Sequence, residues 1–298
     1  MIIVERADGL VLVQDLGRPG QGRLGVAPSG AFDVGAHVAA NVAVGNPASA
    51  ATLEVLLGPL VLRARRPVIA AVTGGSGAVV VDGLALAAGQ PFALLPGMSL
   101  TLESSADGVR RYLAVRGGIE VTPVLGSRSR DTLAGLGPAP IVAGDMLRWS
   151  EPDSGSPPGG RRAVPDEGSI VARHRADDDG GALVLEVLPG PRPGYFAPGT
   201  YLGLGEHTFT VTDRCDRVAV RLQGRPLVRT GTQELPPEGV IAGAIQVPPS
   251  LQPVILGPDH PLTGGYPVLA VATRAALDAL AQVRPGDVIR FRPLESGD

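Results

Sequence analysis

Apolar positions fall in short runs cut by glycine, proline and acidic turns. That pattern predicts many short strands joined by tight turns. In the first half they lie at Ile2–Glu5, Leu10–Gln14, Ala51–Val55, Leu60–Ala64, Val68–Thr73, Ala78–Val81, Ser99–Glu103, Arg111–Val115 and Met146–Trp149. In the second half they lie at Ala182–Leu188, His207–Thr212, Arg217–Leu222, Val240–Val247, Pro253–Leu256, Val268–Ala272 and Val288–Phe291. Most alternate only in part, as expected for strands covered on both faces. Two segments carry helical spacing instead. Phe32, Ala36, Ala40 and Val44 lie roughly four apart, with Ser29 or Asp33 as the cap and Gly45 after the end. A second helix is predicted over about Arg274 to Val283, capped by Thr273, with Leu277, Leu280 and Ala281 on its apolar face.

The fold class expected is mainly β with a few helices. Residues 151–181 are polar and rich in proline and glycine, and read as a linker. It divides an N-terminal β lobe, 1–150, from a C-terminal β lobe, 182–298, each with one main helix. The lobes echo each other in turn-then-strand units: Ala143-Gly-Asp-Met-Leu147, Arg284-Pro-Gly-Asp-Val-Ile289 and, more loosely, Leu95-Pro-Gly-Met-Ser-Leu100. These read as architectural turns.

Composition excludes several functions. The 298 residues are 44% hydrophobic, enough for a substantial core, and no run reaches the ~18 apolar residues of a membrane span. No basic-then-apolar leader opens the chain. One cysteine, Cys215, precludes an intrachain disulfide or a cysteine-rich zinc site and fits a reducing cytoplasm. There is no lysine, so no residue can form a Schiff base, carry biotin or complete a phosphate-loop motif. Arginines are dispersed and aromatics make up 3%, which argues against nucleic acid as a partner.

The densest polar punctuation lies between Val13 and Glu54. Asp15 and Arg18 share a glycine-rich loop, and Ser29 and Asp33 stand at a helix entrance. Arginine reads carboxylate or phosphate through paired N–H groups. The alternative is an Asp–Arg pair that holds the loop shut. A second group comprises Gln246, which ends an apolar run, and Thr263-Gly264-Gly265-Tyr266. Gln246 must find partners if buried and is placed to meet a ligand amide. Thr263, Gly264 and Gly265 can form an anion nest, with Tyr266 at the rim. Such a loop can also be only a turn. Arg217 and Arg221 alternate with apolar neighbours and read as surface ion pairs, or as a contact for an anion or a second protein chain. Arg116, before Gly117-Gly118, is a candidate binding residue or a solvated turn residue. His37, His174, His207 and His260 lack metal-ligand spacing. No nucleophile elbow or dinucleotide fingerprint is present.

Several of these stretches, in order along nearly the whole chain, resemble the biotin-dependent carboxyltransferase family. This family is also called allophanate hydrolase subunit 2, and its prokaryotic members are mostly described as the C component of 5-oxoprolinase. The stretches include Val13-Gln-Asp-Leu-Gly-Arg-Pro-Gly20, Pro28-Ser-Gly30, Leu53-Glu54, Tyr112-Leu-Ala-Val-Arg-Gly-Gly118 and Leu125-Gly-Ser-Arg-Ser129. Leu188-Pro-Gly190, Asp216-Arg217, Gly243-Ala-Ile-Gln-Val-Pro248 and Thr263-Gly-Gly-Tyr-Pro267 continue the series.

The resemblance implies two cyclophilin-like β-barrel lobes. It also implies one component of an ATP- and magnesium-dependent enzyme complex that cleaves 5-oxoproline to glutamate. Its partners would be the B component of 5-oxoprolinase, like allophanate hydrolase subunit 1, and the A component, of the LamB/YcsF type, in the cytoplasm. Asp15, Arg18 and Gln246 would then be catalytic, and Ser29, Asp33, Arg116, Thr263, Gly264, Gly265 and Tyr266 would bind substrate. Two alternatives stay open. One is carboxyl transfer to urea or a related amide from carboxybiotin on another chain, and the other is a non-catalytic antagonist that binds a partner. The family commonly has lysine after Gly-Gly-Tyr-Pro, where this chain has Val268.

Overall fold

The computed structural model describes residues 1–150, 181–230 and 235–295. The chain is mainly β and groups into two units. Among the described residues, unit 1 comprises 1–18, 29–131 and 135–150, and unit 2 comprises 19–28, 132–134, 181–230 and 235–295. Segments 19–28 and 132–134 therefore group with the C-terminal unit, although the sequence places them in the N-terminal lobe. The linker expected at 151–181 lies outside the described residues except for Gly181.

Unit 1 is built from β1 (Ile2–Ala7), β2 (Leu10–Gln14), β3 (Thr52–Leu56), β4 (Leu60–Ala64), β5 (Val68–Gly74) and β6 (Val79–Val81). It continues with β7 (Leu84–Leu86), β8 (Phe92–Leu94), β9 (Ser99–Leu102), β10 (Arg110–Val115) and β11 (Met146–Leu147). These make a six-stranded sheet in the order β11-β1-β4-β9-β6-β7 and a five-stranded sheet in the order β2-β3-β10-β5-β8. Alternate residues of both sheets, among them Val4, Val13, Leu53, Leu62, Val72, Leu100 and Leu113, turn inward to one buried core.

Helix α1 (Val34–Ala43) covers part of the five-stranded sheet's other face. Its buried apolar residues are all alanine, Ala36, Ala40 and Ala43, set against Ala71 and Ala114. Small residues on both surfaces let helix and sheet approach closely. Asp33 is the cap, accepting from the Ala36 N–H at 2.8 Å. His37 is a buried residue of this helix. Its Nε2–H donates to Ala48 O and its Nδ1 accepts from the Thr52 hydroxyl, both at 2.9 Å.

Burial pushes the His37 pKa down. A depressed imidazole contributes stability above its unfolded value of about 6.5, and that contribution is lost as pH falls toward the folded value. The urea midpoint of unit 1 is accordingly expected to be lower at pH 5 than at pH 7.5. A His37→Gln variant is expected to flatten this pH dependence, and an unchanged slope in it would exclude His37 as the cause.

Unit 2 contains β12 (Leu183–Pro189), β13 (Thr208–Cys215), β14 (Ala219–Gly224), β15 (Glu238–Gly239), β16 (Ala244–Gln246) and β17 (Val254–Leu256). After these come β18 (Thr263–Gly264), β19 (Val268–Ala272) and β20 (Val288–Pro293). Seven strands close a barrel in the order β12-β19-β16-β17-β14-β13-β20. Closure is made by the parallel pairing of its first and last strands, β12 and β20. Phe209 and Phe291 meet inside, ring centroids 5.4 Å apart. Helix α2 (Thr200–Gly203) is one turn long, and α3 (Arg274–Leu280) packs beside β12. Thr273 caps α3, accepting from Ala276 N–H at 3.2 Å.

The echoed turns are architectural in each unit. Asp145 accepts from Val142 N–H and Asp287 from Arg284 N–H, both at 2.8 Å, and each turn launches a strand.

Candidate functional site

Asp15 does not pair with Arg18. Its carboxylate accepts from Gly17 N–H at 2.8 Å and from Arg128 N–H, the Ser127 hydroxyl and the Ser129 hydroxyl at 2.6 Å each. The two hydrogen-bonded serines lie more than a hundred residues away in the Leu125–Ser129 motif. Arg18 is 1% exposed, donates to Ser129 O and Val124 O, and has Asp131 4.0 Å from Nη1. This network joins two loops of unit 1, and neither side chain lies open to a ligand. Gly30 completes it. With φ at +101°, it passes so close to Leu16 and Gly17 that an added Cβ would meet backbone at 2.9 Å. Ser29 is buried, sits at φ +55° and donates to Arg130 O at 3.4 Å.

Asp33 belongs to a neighbouring buried network that the sequence did not single out. Tyr112 donates to Glu54 at 2.6 Å and accepts from Asp33 N–H at 2.9 Å. Glu54 also accepts from Phe32 N–H and has Arg110 Nε at 3.5 Å. Arg110 lies 4.6 Å over the Phe32 ring. Burial first, then the Glu54 charge, pushes the Tyr112 phenol well above its usual range, so it stays a donor. Leu53-Glu54 and Tyr112 were visible in the family-like stretches, but nothing local in the sequence paired them.

In unit 2, Gln246 ends β16 where the pairing with β19 shifts register. A bulge re-aims a side chain, and here Gln246 is 6% exposed, with Nε2 donating to Tyr266 O at 3.3 Å. Thr263 and Tyr266 are exposed, Tyr266 at 45%. Thr263 and Gly264 pair with Gly239 and Glu238 as a short antiparallel ladder. Neither Gly264 nor Gly265 takes the left-handed conformation, so the expected anion nest does not form. What Gly264 supplies is space, since an added Cβ would fall on Gln246 Nε2 and lie 3.2 Å from Val240. Gly264→Ala is expected to displace the Gln246 amide at a stability cost of about 1–3 kcal/mol. A shifted Gln246 side-chain amide resonance in a still cooperatively melting protein checks this, and an unmoved resonance would contradict it.

Arg217 is not a surface residue. It makes a buried two-point ion pair with Asp259, Nε to Oδ2 at 2.9 Å and Nη2 to Oδ1 at 3.0 Å. Thr132 adds its N–H and hydroxyl to Asp259 Oδ2 at 2.8 and 2.7 Å. This pair anchors the loop leading to Thr263. Segment 19–28 also comes near it, Leu262 lying 3.8 Å from a Cβ placed on Gly22. Val268, at the family's lysine position, is buried with Val240, Ala244 and Leu256. Arg116 lies in unit 1, on the wall of an open cleft.

Residues 24–293 match the family model described as carboxyltransferase domain, subdomain A and B. The chain is 33% identical over 296 residues to a protein of Escherichia coli (strain K12) named as the C component of 5-oxoprolinase, covering 98% of this chain and 90% of that protein. It is 31% identical to "Urea amidolyase" of Lachancea kluyveri, covering 95% of this chain but 16% of that protein. Its fold matches a crystal structure of TTHA0988 with a TM-score of 0.84 and 36% identity, covering 98% of this chain and 55% of the other. The chain thus spans about half of that solved chain and a small part of the amidolyase. By the model match and by these identities, the chain belongs to the carboxyltransferase family that includes the C component of 5-oxoprolinase and the corresponding part of urea amidolyase.

Proposed function

We propose that this chain is the C component of an ATP-dependent complex that cleaves 5-oxoproline to L-glutamate. The carrying observation is coverage: a protein named for that component is matched over 90% of its own length, the amidolyase over 16%. A B component like allophanate hydrolase subunit 1 and a LamB/YcsF-like A component complete the assembly in the cytoplasm.

The chain's own contribution is to hold the lactam. Gln246 commits one N–H to Tyr266 O and keeps its carbonyl and a second N–H for a planar amide. Thr263 and Tyr266, both exposed, would offer hydroxyls to the same ligand. Asp15, Arg18, Ser29 and Asp33 act at a distance, as the frame of unit 1. Nothing among this chain's described residues marks a magnesium or nucleotide site. Among the described residues no three acidic, histidine or cysteine side chains gather, and the chain has no lysine. We assign the nucleotide to another chain of the complex. Biotin, likewise, would have to come on another chain.

The carboxyltransferase family model favours a second reading, transfer of a carboxyl group from carboxybiotin to urea or a related amide. Reconstitution with the B and A components separates the two. Glutamate formed from 5-oxoproline only with ATP and all three chains supports the proposal. Carboxybiotin-dependent modification of urea, with no glutamate, would replace it.

A further inference from the structure

The sheet face that carries α1 continues past the helix. Thr73, Ala71 and Ile69 alternate along β5, and Tyr112, Ala114 and Arg116 along and just beyond β10. The helix covers the first part of this face, where Ala71, Tyr112 and Ala114 are buried. It stops at Ala43, and Gly45 turns the chain away at φ +76°. Among the described residues, nothing covers the rest of the face. Ile69 pairs with Ala93 of the edge strand β8, and both are exposed. Two adjoining clefts lie here, of about 250 and 170 Å³, sharing Ile69, Ala93 and Arg116. Val44 borders one of them, and Leu95 and Trp149 border the other. Among the described residues, Arg116 is the one charged side chain in either lining.

We propose that this cleft in unit 1 binds a small apolar monocarboxylate, its hydrocarbon or ring on Ile69, Ala93, Leu95 and Trp149 and its carboxylate on Arg116. An apolar wall with one planar cation selects such a ligand: burial of its apolar body drives entry, and the guanidinium reads the two oxygens at one end. The described residues that line the cleft all belong to unit 1, and the proposal does not rest on the assignment of 5-oxoproline.

Trp149 is the only tryptophan of the chain, so its fluorescence reports this cleft directly. Titration with 3-phenylpropionate is expected to give a saturable emission change, with affinity about tenfold or more above that for the neutral 3-phenylpropanamide. Arg116→Gln is expected to abolish that preference while amide binding stays within about twofold. The acid-against-amide comparison on the unaltered protein stands even if the variant folds poorly. Equal affinity for acid and amide, or no saturable change with either, would overturn the proposal.

Discussion

Asp259→Ala is expected to destabilise unit 2 by about 3–5 kcal/mol, the cost of leaving a buried guanidinium without its counter-charge. Arg217 and Asp259 are 2% and 0% exposed in their side chains, so water cannot replace the lost partner. The same change strips Thr132 of the acceptor for both its N–H and its hydroxyl. The effect is large because of the orphaned charge, and the pair itself need not add net stability. Arg217→Met with Asp259→Leu is therefore expected to recover most of the loss, short of the Thr132 bonds. Urea unfolding of the three proteins, with hydrogen exchange read on β14 and β17, measures this. A single-variant cost below about 1 kcal/mol would mean that the pair is solvated.

Unit 1 has its own pivot. Asp15→Asn is expected to cost about 2–4 kcal/mol and to loosen the segments around Gly17 and Ser127–Ser129. The amide keeps the shape of the carboxylate but has one acceptor oxygen in place of two. It also turns a donor toward groups that now donate: two hydroxyls and two backbone N–H groups. Hydroxyls can rotate, but the Gly17 and Arg128 amides cannot. Faster exchange at those two amides, with a lowered melting temperature, is the expected signature. Unchanged melting would show that Asp15 is not the hub of this loop pair.

What was legible in the sequence was mostly local. Both main helices and the caps Asp33 and Thr273 follow from spacing and side-chain chemistry within a few residues. The longer strands follow from apolar runs. Strands β7, β8, β15 and β18 do not; each has two or three residues paired to a partner edge, too few to carry a period. Val240–Val247 read as one strand, but Gly243 at φ +87° breaks it and leaves Ala244–Gln246. Helix α2 was missed for the same want of length.

The site shows the same division. Gln246 stands out in the sequence because an amide inside an apolar run must be explained. The partners of Asp15 and Arg217 are not legible locally because they are distant in sequence. Ser127 and Ser129 lie 112 and 114 residues from Asp15, and Asp259 lies 42 from Arg217. An Asp three residues from an Arg looks like a pair on paper, but here the fold gives each a different, more remote partner. Gly264 looked like a nest residue, yet its value is the missing Cβ beside Gln246.

Gln246 is the group proposed to hold the substrate amide. The most direct measurement is kcat/KM for 5-oxoproline in the assembled three-component complex, comparing the unaltered chain with Gln246→Leu. Leucine fills similar space without the amide. A fall of about 10- to 100-fold at unchanged complex assembly and melting temperature is predicted, equivalent to losing one or two substrate hydrogen bonds. A value within about twofold of the unaltered complex would contradict the account.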